Sequence, residues 1–246
     1  MENVLITGVS GGIGRSVAER LLANGSTVVG WDKIVSDEAR LLAERYPGKF
    51  AMQEVDLMDS EALPGLVKTL VAEFGPLGGF VHCAGFDKMS PLHLVKLSDI
   101  ENLWRLHALA PMLVVSSLSG KKNHHDGAGV VLISSQSAHE GAMGHTAYAA
   151  AKGAVEGFLA PAAAELMERN IRINVVCFAP VKTPMALSWM NNLTNEGKEK
   201  LLASYPLGLG EVEDASALIC FLLSTDARWI NGQIITADGG HAVRKV

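Results

Sequence analysis

Seven short runs rich in β-branched and aliphatic residues punctuate this sequence, and between them lie longer segments whose apolar residues recur at helical spacing. No other feature limits the possible folds so tightly, because strands alternating with helices in this way build βαβ units around a parallel sheet. The runs fall near residues 3 to 7, 27 to 31, 50 to 55, 78 to 83, 129 to 135, 171 to 177 and 233 to 236. Most are apolar without alternation, as in Val130-Val131-Leu132-Ile133, the pattern of strands covered on both faces. Helices are expected over 13 to 24, 36 to 46, 59 to 74, 98 to 119, 147 to 169 and 212 to 224. The expected fold class is therefore α/β, a doubly wound sheet of seven parallel strands with helices on both faces.

Composition agrees with a packed chain of this type. Its 246 residues are 48% apolar and only 19% charged, which excludes a disordered polymer, and its 25 glycines follow no collagen-like period. No repeat or linker divides it, so residues 1–246 are expected to form one domain. The longest insertion, about 184–210, runs from Pro184-Met185 to Gly208-Leu209-Gly210 after a strand's carboxyl end, where open α/β sheets bind ligands. It is expected to be a substrate lid. A formal charge of -5 argues against nucleic acid or an anionic membrane as partner. Cys83, Cys177 and Cys220 are too few and too scattered for a disulfide framework or a CxxC site, and read as buried thiols in a reducing compartment. Met1-Glu2 lacks the basic start of a signal peptide, and no apolar run approaches the roughly 18 residues of a membrane span. A cytoplasmic location is expected.

Directly after the first strand comes Thr7-Gly8-Val9-Ser10-Gly11-Gly12-Ile13-Gly14, which opens a helix. Glycines at 8, 12 and 14 allow a tight turn and close approach to a pyrophosphate, and the helix N-terminus offers free N–H groups and a positive dipole end. This makes the sheet Rossmann-type. The second strand ends at Asp32, about 20 residues on, where a carboxylate can accept hydrogen bonds from adenosine ribose hydroxyls and repel a 2'-phosphate. NAD is therefore expected rather than NADP, although Lys33 next door could attract that phosphate. Asp56, before Leu57, is placed either to bond the adenine amino group or to cap a helix.

Ser135 ends the fifth strand; Tyr148 stands thirteen residues beyond it, and Lys152 four further along, on the same helix face as Tyr148. An ammonium beside a phenol favours the phenolate and so suits it to acid/base work. With the glycine turn and Asp32, this set closely resembles the short-chain dehydrogenase/reductase family over the whole chain, nearest in appearance to its 3-oxoacyl-acyl carrier protein reductases. Asn231 to Gly240, with the Asp238-Gly239-Gly240 turn, is also similar to that family's closing segment. The resemblance implies hydride transfer between a nicotinamide cofactor and a secondary alcohol or ketone. It makes Tyr148 the general acid/base and Ser135 the group that orients the substrate oxygen. Lys152 would bind the nicotinamide ribose and lower the Tyr148 pKa. It also implies that Gly8, Ser10, Gly12, Ile13, Gly14, Asp32, Asp56, Leu57, Ala84, Gly85, Val181 and Thr183 contact the cofactor, Thr183 through the carboxamide. A homotetramer through the helices at 98 to 119 and 147 to 169 is likewise implied.

Three positions depart from the family pattern. Asn-Asn-Ala-Gly is replaced by His82-Cys83-Ala84-Gly85, and Cys83 cannot reproduce an amide's hydrogen bonds. Pro-Gly is replaced by Phe178-Ala179, so the nicotinamide loop is expected to follow a different path. The family's catalytic Asn aligns with His107; Pro111, four residues later, has no N–H, which frees the residue 107 carbonyl to hold a water of the proton relay. The His107 ring then either packs or adds a titratable group to catalysis. These changes also motivate a different reading, a nucleotide-binding protein without turnover. Pro161 is expected to kink its helix near Gly157. His139 and His145 lie where family members line the substrate pocket. No metal is expected: His124-His125-Asp126 could chelate one, but adjacent side chains rarely reach the same ion.

Overall fold

The computed structural model describes residues 3–243. Seven parallel strands form one sheet: β1 (Val4–Thr7), β2 (Val28–Asp32), β3 (Phe50–Glu54), β4 (Leu77–His82), β5 (His124–Ser135), β6 (Arg172–Phe178) and β7 (Ile234–Ala237), in the order β3-β2-β1-β4-β5-β6-β7. Successive side chains along a strand point to opposite faces. Leu5, Val29, Phe80, Val130 and Val175 therefore pack on one side against α3 (Leu63–Phe74), α5 (Ala110–Leu118) and α6 (Thr146–Met167). Val4, Ile6, Val28, Val81 and Val176 pack on the other against α1 (Gly12–Ala23), α2 (Asp37–Arg45) and α9 (Val212–Leu223). Chain order reverses between β1 and β4, and the crevice at that switch point is where such sheets hold ligands.

The strands lie within a residue or two of their expected positions, except that β5 starts five residues earlier, at His124. The helix expected over 98 to 119 is divided. Its first part is α4 (Leu97–Trp104), a π-helical segment occupies Arg105–Leu109, and α5 follows. The insertion after β6 is not bare loop: Thr183 and Thr194 cap α7 (Pro184–Met190) and α8 (Asn195–Ala203) through their side chains. Threonine before Pro184, a residue suited to a first helical position, was the available signal. Helix α6 runs as one continuous helix through Pro161. Gly157, whose carbonyl loses its donor to that proline, is exposed to solvent. No helix among the described residues is long and apolar enough to cross a membrane.

Candidate active site

The glycine turn sits at the switch point between β1 and β4. Gly8 has φ +68°, and a Cβ there would stand 2.5 Å from the Ala84 backbone nitrogen; a Cβ on Gly14 would stand 2.2 Å from the Gly8 carbonyl oxygen. Backbone cannot yield to such contacts, so these positions require glycine. Helix α1 has no side-chain cap at Gly11, which leaves its first N–H groups directed out of the turn. Uncapped donors at a dipole's positive end, in a cradle that a Cβ would fill, fit a pyrophosphate.

At the end of β2 the Asp32 carboxylate is held by backbone alone, its Oδ2 accepting from Ser10 N at 2.9 Å and its Oδ1 from Lys33 N at 2.8 Å. Each oxygen keeps a lone pair for a ribose hydroxyl. The Lys33 ammonium is drawn to Asp56, 2.8 Å from Oδ2, and this contact holds the Asp56 carboxyl below its usual range. Asp56 also accepts from Met58 N at 3.0 Å, whereas α3 starts after Ala62, so Asp56 closes a turn and is not that helix's cap.

His82 takes over the bracing that Cys83 cannot provide. In an ordinary helix Ala110 N–H would bond the Leu106 carbonyl, but here it reaches back to Arg105, and Pro111 has no N–H to offer. The freed Leu106 oxygen accepts from His82 Nε2 at 3.0 Å, while Nδ1 on the same ring lies 2.8 Å from Thr7 Oγ1. A donating Nε2 fixes Nδ1 as acceptor of the Thr7 hydroxyl. Burial pushes the His82 pKa down to about 3, so this strut between β1, β4 and the π segment stays neutral.

His107, in the same π segment, stands edge-on to the Tyr148 ring with centroids 5.2 Å apart, and its Nε2 is 2.8 Å from the Phe86 carbonyl. A Cβ on Gly85 would come within 2.5 Å of the His107 ring, so Gly85 makes room for it. Burial holds the His107 pKa well below 6.5. Burial thus disfavours the charged imidazole, and the contacts with Tyr148, Phe86 and Gly85 are packing contacts.

Ser135, Tyr148, Ile13, Val181 and Thr183 come together on one cavity of about 380 Å³ at the carboxyl ends of the strands. The Ser135 hydroxyl accepts from Ser137 N at 3.2 Å and shares the cavity wall with the Tyr148 phenol. Lys152 lies behind this wall, its ammonium donating to the Ile133 carbonyl at 2.8 Å and standing 5.7 Å from the Tyr148 ring centroid. Burial lowers the Lys152 pKa to about 8. Desolvation and the Asp87 charge raise the Tyr148 phenol above its usual value, outweighing the lowering influence of the nearby Ser135 hydroxyl. The depression expected from Lys152 is absent in this arrangement because the ammonium is turned to a carbonyl. Thr183 Oγ1 accepts from Ala186 N at 3.2 Å and so keeps its hydroxyl hydrogen for a carboxamide. The Phe178-Ala179 change leaves the sheet continuous, since Ala179 N bonds the Ala237 carbonyl, and Val181 then bridges to Gly210 at the end of the insertion.

Sequence reasoning missed much of the far wall. Asp87 lies 3.1 Å from His145 Nε2 and raises that imidazole's pKa, chiefly through this hydrogen bond. Gln136 donates to Glu140 and accepts from the Tyr205 hydroxyl at 3.2 Å; His241 stacks on Tyr205 and lies 3.3 Å from Glu140. His145 reaches the cavity as expected, but His139 turns to Glu156 instead.

A dinucleotide cradle at the switch point and a Ser, Tyr and Lys set beside it define a nucleotide-dependent oxidoreductase. Residues 8–242 match a family model described as enoyl-(acyl carrier protein) reductase, and the chain belongs to the short-chain dehydrogenase/reductase family. It is 32% identical to the uncharacterised oxidoreductase YmfI of Bacillus subtilis, over 97% of this chain and 98% of that protein. To the 3-oxoacyl-[acyl-carrier-protein] reductase FabG of Thermotoga maritima it is 30% identical, over 96% of each. A solved structure of a blue fluorescent protein from a metagenomic library, in complex with NADPH, superimposes with a TM-score of 0.87 at 29% identity, covering 98% of each chain.

Proposed function

We propose that this oxidoreductase interconverts a secondary alcohol and a ketone with NAD(H), Tyr148 acting as general acid/base. The observation that carries this reading is the single cavity wall bearing the Ser135–Tyr148 pair, with Lys152 directly behind it. Bound nicotinamide supplies the hydride in reduction and accepts it in oxidation. Tyr148 gives its phenolic proton to the ketone oxygen in reduction and removes the alcohol proton in oxidation. Ser135 donates to that same oxygen, so hydroxyl and phenol together fix the reacting carbon. Lys152 holds the nicotinamide ribose, and as its ammonium swings from the Ile133 carbonyl toward Tyr148 it favours the phenolate. Thr183 and Val181 orient the carboxamide, and Gly8, Ser10, Gly12, Gly14, Ala84 and Gly85 cradle the pyrophosphate side. His107 is a positioning residue that packs on the Tyr148 ring.

The choice of NAD rests on Asp32, whose fixed carboxylate suits ribose hydroxyls and opposes a phosphate, and on Lys33 being engaged by Asp56. A second reading, an NADPH-dependent 3-oxoacyl-acyl carrier protein reductase, is favoured by the NADPH complex of the metagenomic relative and by the Thermotoga enzyme's name. The same reading of the chain makes residues 1–246 one catalytic domain with 184–210 as substrate lid. It sets the protein in the cytoplasm, where its three free thiols remain reduced. The small residues of α6 and the cleft of about 370 Å³ between α5 and α6 suit the packing of a homotetramer.

Thermal shifts with NAD+, NADH, NADP+ and NADPH separate these readings, because a ligand at 100 Kd stabilises by about 2.7 kcal/mol. NAD(H) is expected to give the larger shift; a larger shift with NADPH would overturn the Asp32 argument. Tyr148→Phe is expected to keep those shifts and to lower nucleotide-dependent turnover of a ketone and alcohol panel by about 10²- to 10⁴-fold. Nucleotide binding by the wild type without any turnover would leave the binding-protein reading in its place.

A further inference from the structure

Behind the cavity wall, side chains from three elements converge on a point that the hydride-transfer chemistry does not use. His139 follows β5, Glu156 lies one helical turn beyond Lys152 on α6, and Cys177 is the penultimate residue of β6. His139 Nε2 is 3.0 Å from Glu156 Oε1, and an imidazole nitrogen of His139, a carboxylate oxygen of Glu156 and Cys177 Sγ all lie within 4.8 Å of one another. We propose that His139, Glu156 and Cys177 form a three-ligand site for a zinc-like divalent cation, with the fourth position open to solvent on the His139 side.

The donor set decides the class of ion. Thiolate, imidazole and carboxylate together suit Zn²⁺ and its borderline neighbours, whereas Mg²⁺ and Ca²⁺ take oxygen ligands. Zinc bond lengths of about 2.0 to 2.3 Å put tetrahedral ligand atoms roughly 3.3 to 3.6 Å apart. The observed spacing brackets that range, and closing it needs movement of about 1 Å. His139, with a half-exposed side chain, is free to make that movement, while Glu156 and Cys177 are anchored in the helix and the sheet.

Surrounding groups support a cation at this point. The Ser134 hydroxyl donates to Glu156 Oε1 at 2.5 Å, the kind of outer contact that orients a ligating carboxylate. Thr236 stands opposite Cys177 on β7, and the Glu140 and Asp238 carboxylates lie near enough to add negative potential. On binding, the Cys177 thiol gives up its proton to solvent and the thiolate coordinates the ion, with no change in oxidation state. The clamp ties the segment after Ser135 to the helix of Tyr148. Its residues stand 17 and 21 positions apart in the chain, so no spacing motif announces it.

Cobalt(II) is the probe, added to chelator-treated, tag-free full-length protein. One equivalent is expected to bind, with tetrahedral visible bands and a near-ultraviolet sulfur-to-cobalt charge-transfer band, and zinc is expected to displace it. Cys177→Ser is expected to abolish the charge-transfer band, and His139→Ala, at an exposed position the fold does not need, to weaken binding at least tenfold. Absence of a saturable sulfur-to-cobalt band in the wild type would overturn the proposal. So would unchanged affinity in His139→Ala, which decides the matter even where Cys177→Ser fails to fold.

Discussion

The two sides of the cavity are built on different physical terms. On the cofactor side the turn after β1 is almost entirely backbone: Gly8 and Gly14 are fixed by atoms 2.5 and 2.2 Å from where a Cβ would stand, and Asp32 is held by two main-chain N–H groups. On the far wall, Asp87, Gln136, Glu140, His145, Tyr205 and His241 come from several segments of the chain and meet through side chains. A backbone cradle tolerates almost no substitution and serves any substrate. A side-chain wall can change one residue at a time, which is how specificity varies on a constant chemistry.

This contrast is broken most directly at Gly8. Gly8→Ala forces a Cβ against the Ala84 backbone at positive φ, and is expected to cost at least about 3 kcal/mol of stability in chemical denaturation and to abolish nucleotide-induced thermal shifts. Survival of those shifts would mean the turn is more compliant than its contacts indicate. Next comes the strut between the two sides. His82→Ala leaves the Thr7 hydroxyl and the Leu106 carbonyl without their partner, and is expected to cost about 2 to 6 kcal/mol, because each of these two orphaned buried groups costs about 1 to 3.

The smallest effect belongs to the substrate wall. The folded-state pKa of His145 is raised, so the Asp87–His145 pair contributes its stability fully below about pH 6.5, the unfolded value, and loses it as pH rises through the higher folded value. The melting temperature of the wild type is expected to decline over that window, and the decline to be shallower in Asp87→Asn with the nucleotide-induced shifts unchanged. Equal slopes in the two proteins would remove the pair from the account.

How much of this was legible in advance follows the same division. All seven strands, the glycine turn, Asp32 and the Ser135, Tyr148 and Lys152 set were readable, since each depends on short-range pattern or on fixed spacing along one element. The π segment was not, although Pro111 marked the place where a helical bond had to fail. Asp87 and His241 gave no signal at all, because nothing near them in sequence indicates the cavity they face. His107 was visible as a departure, but its neutrality depends on burial beneath Phe86 and Tyr148, which no local pattern reports.

By itself the sequence determined the doubly wound sheet, the glycine turn at its switch point and the spacing that brings Ser135, Tyr148 and Lys152 together, because hydrophobic period, backbone sterics and helical spacing are local properties. Tertiary structure alone decided that His82 replaces an amide as the brace and that Lys33 is spent on Asp56. It also decided the polar far wall and the meeting of His139, Glu156 and Cys177. Those outcomes depend on which side chains packing brings within about 3 to 5 Å, a distance that separation along the chain does not encode.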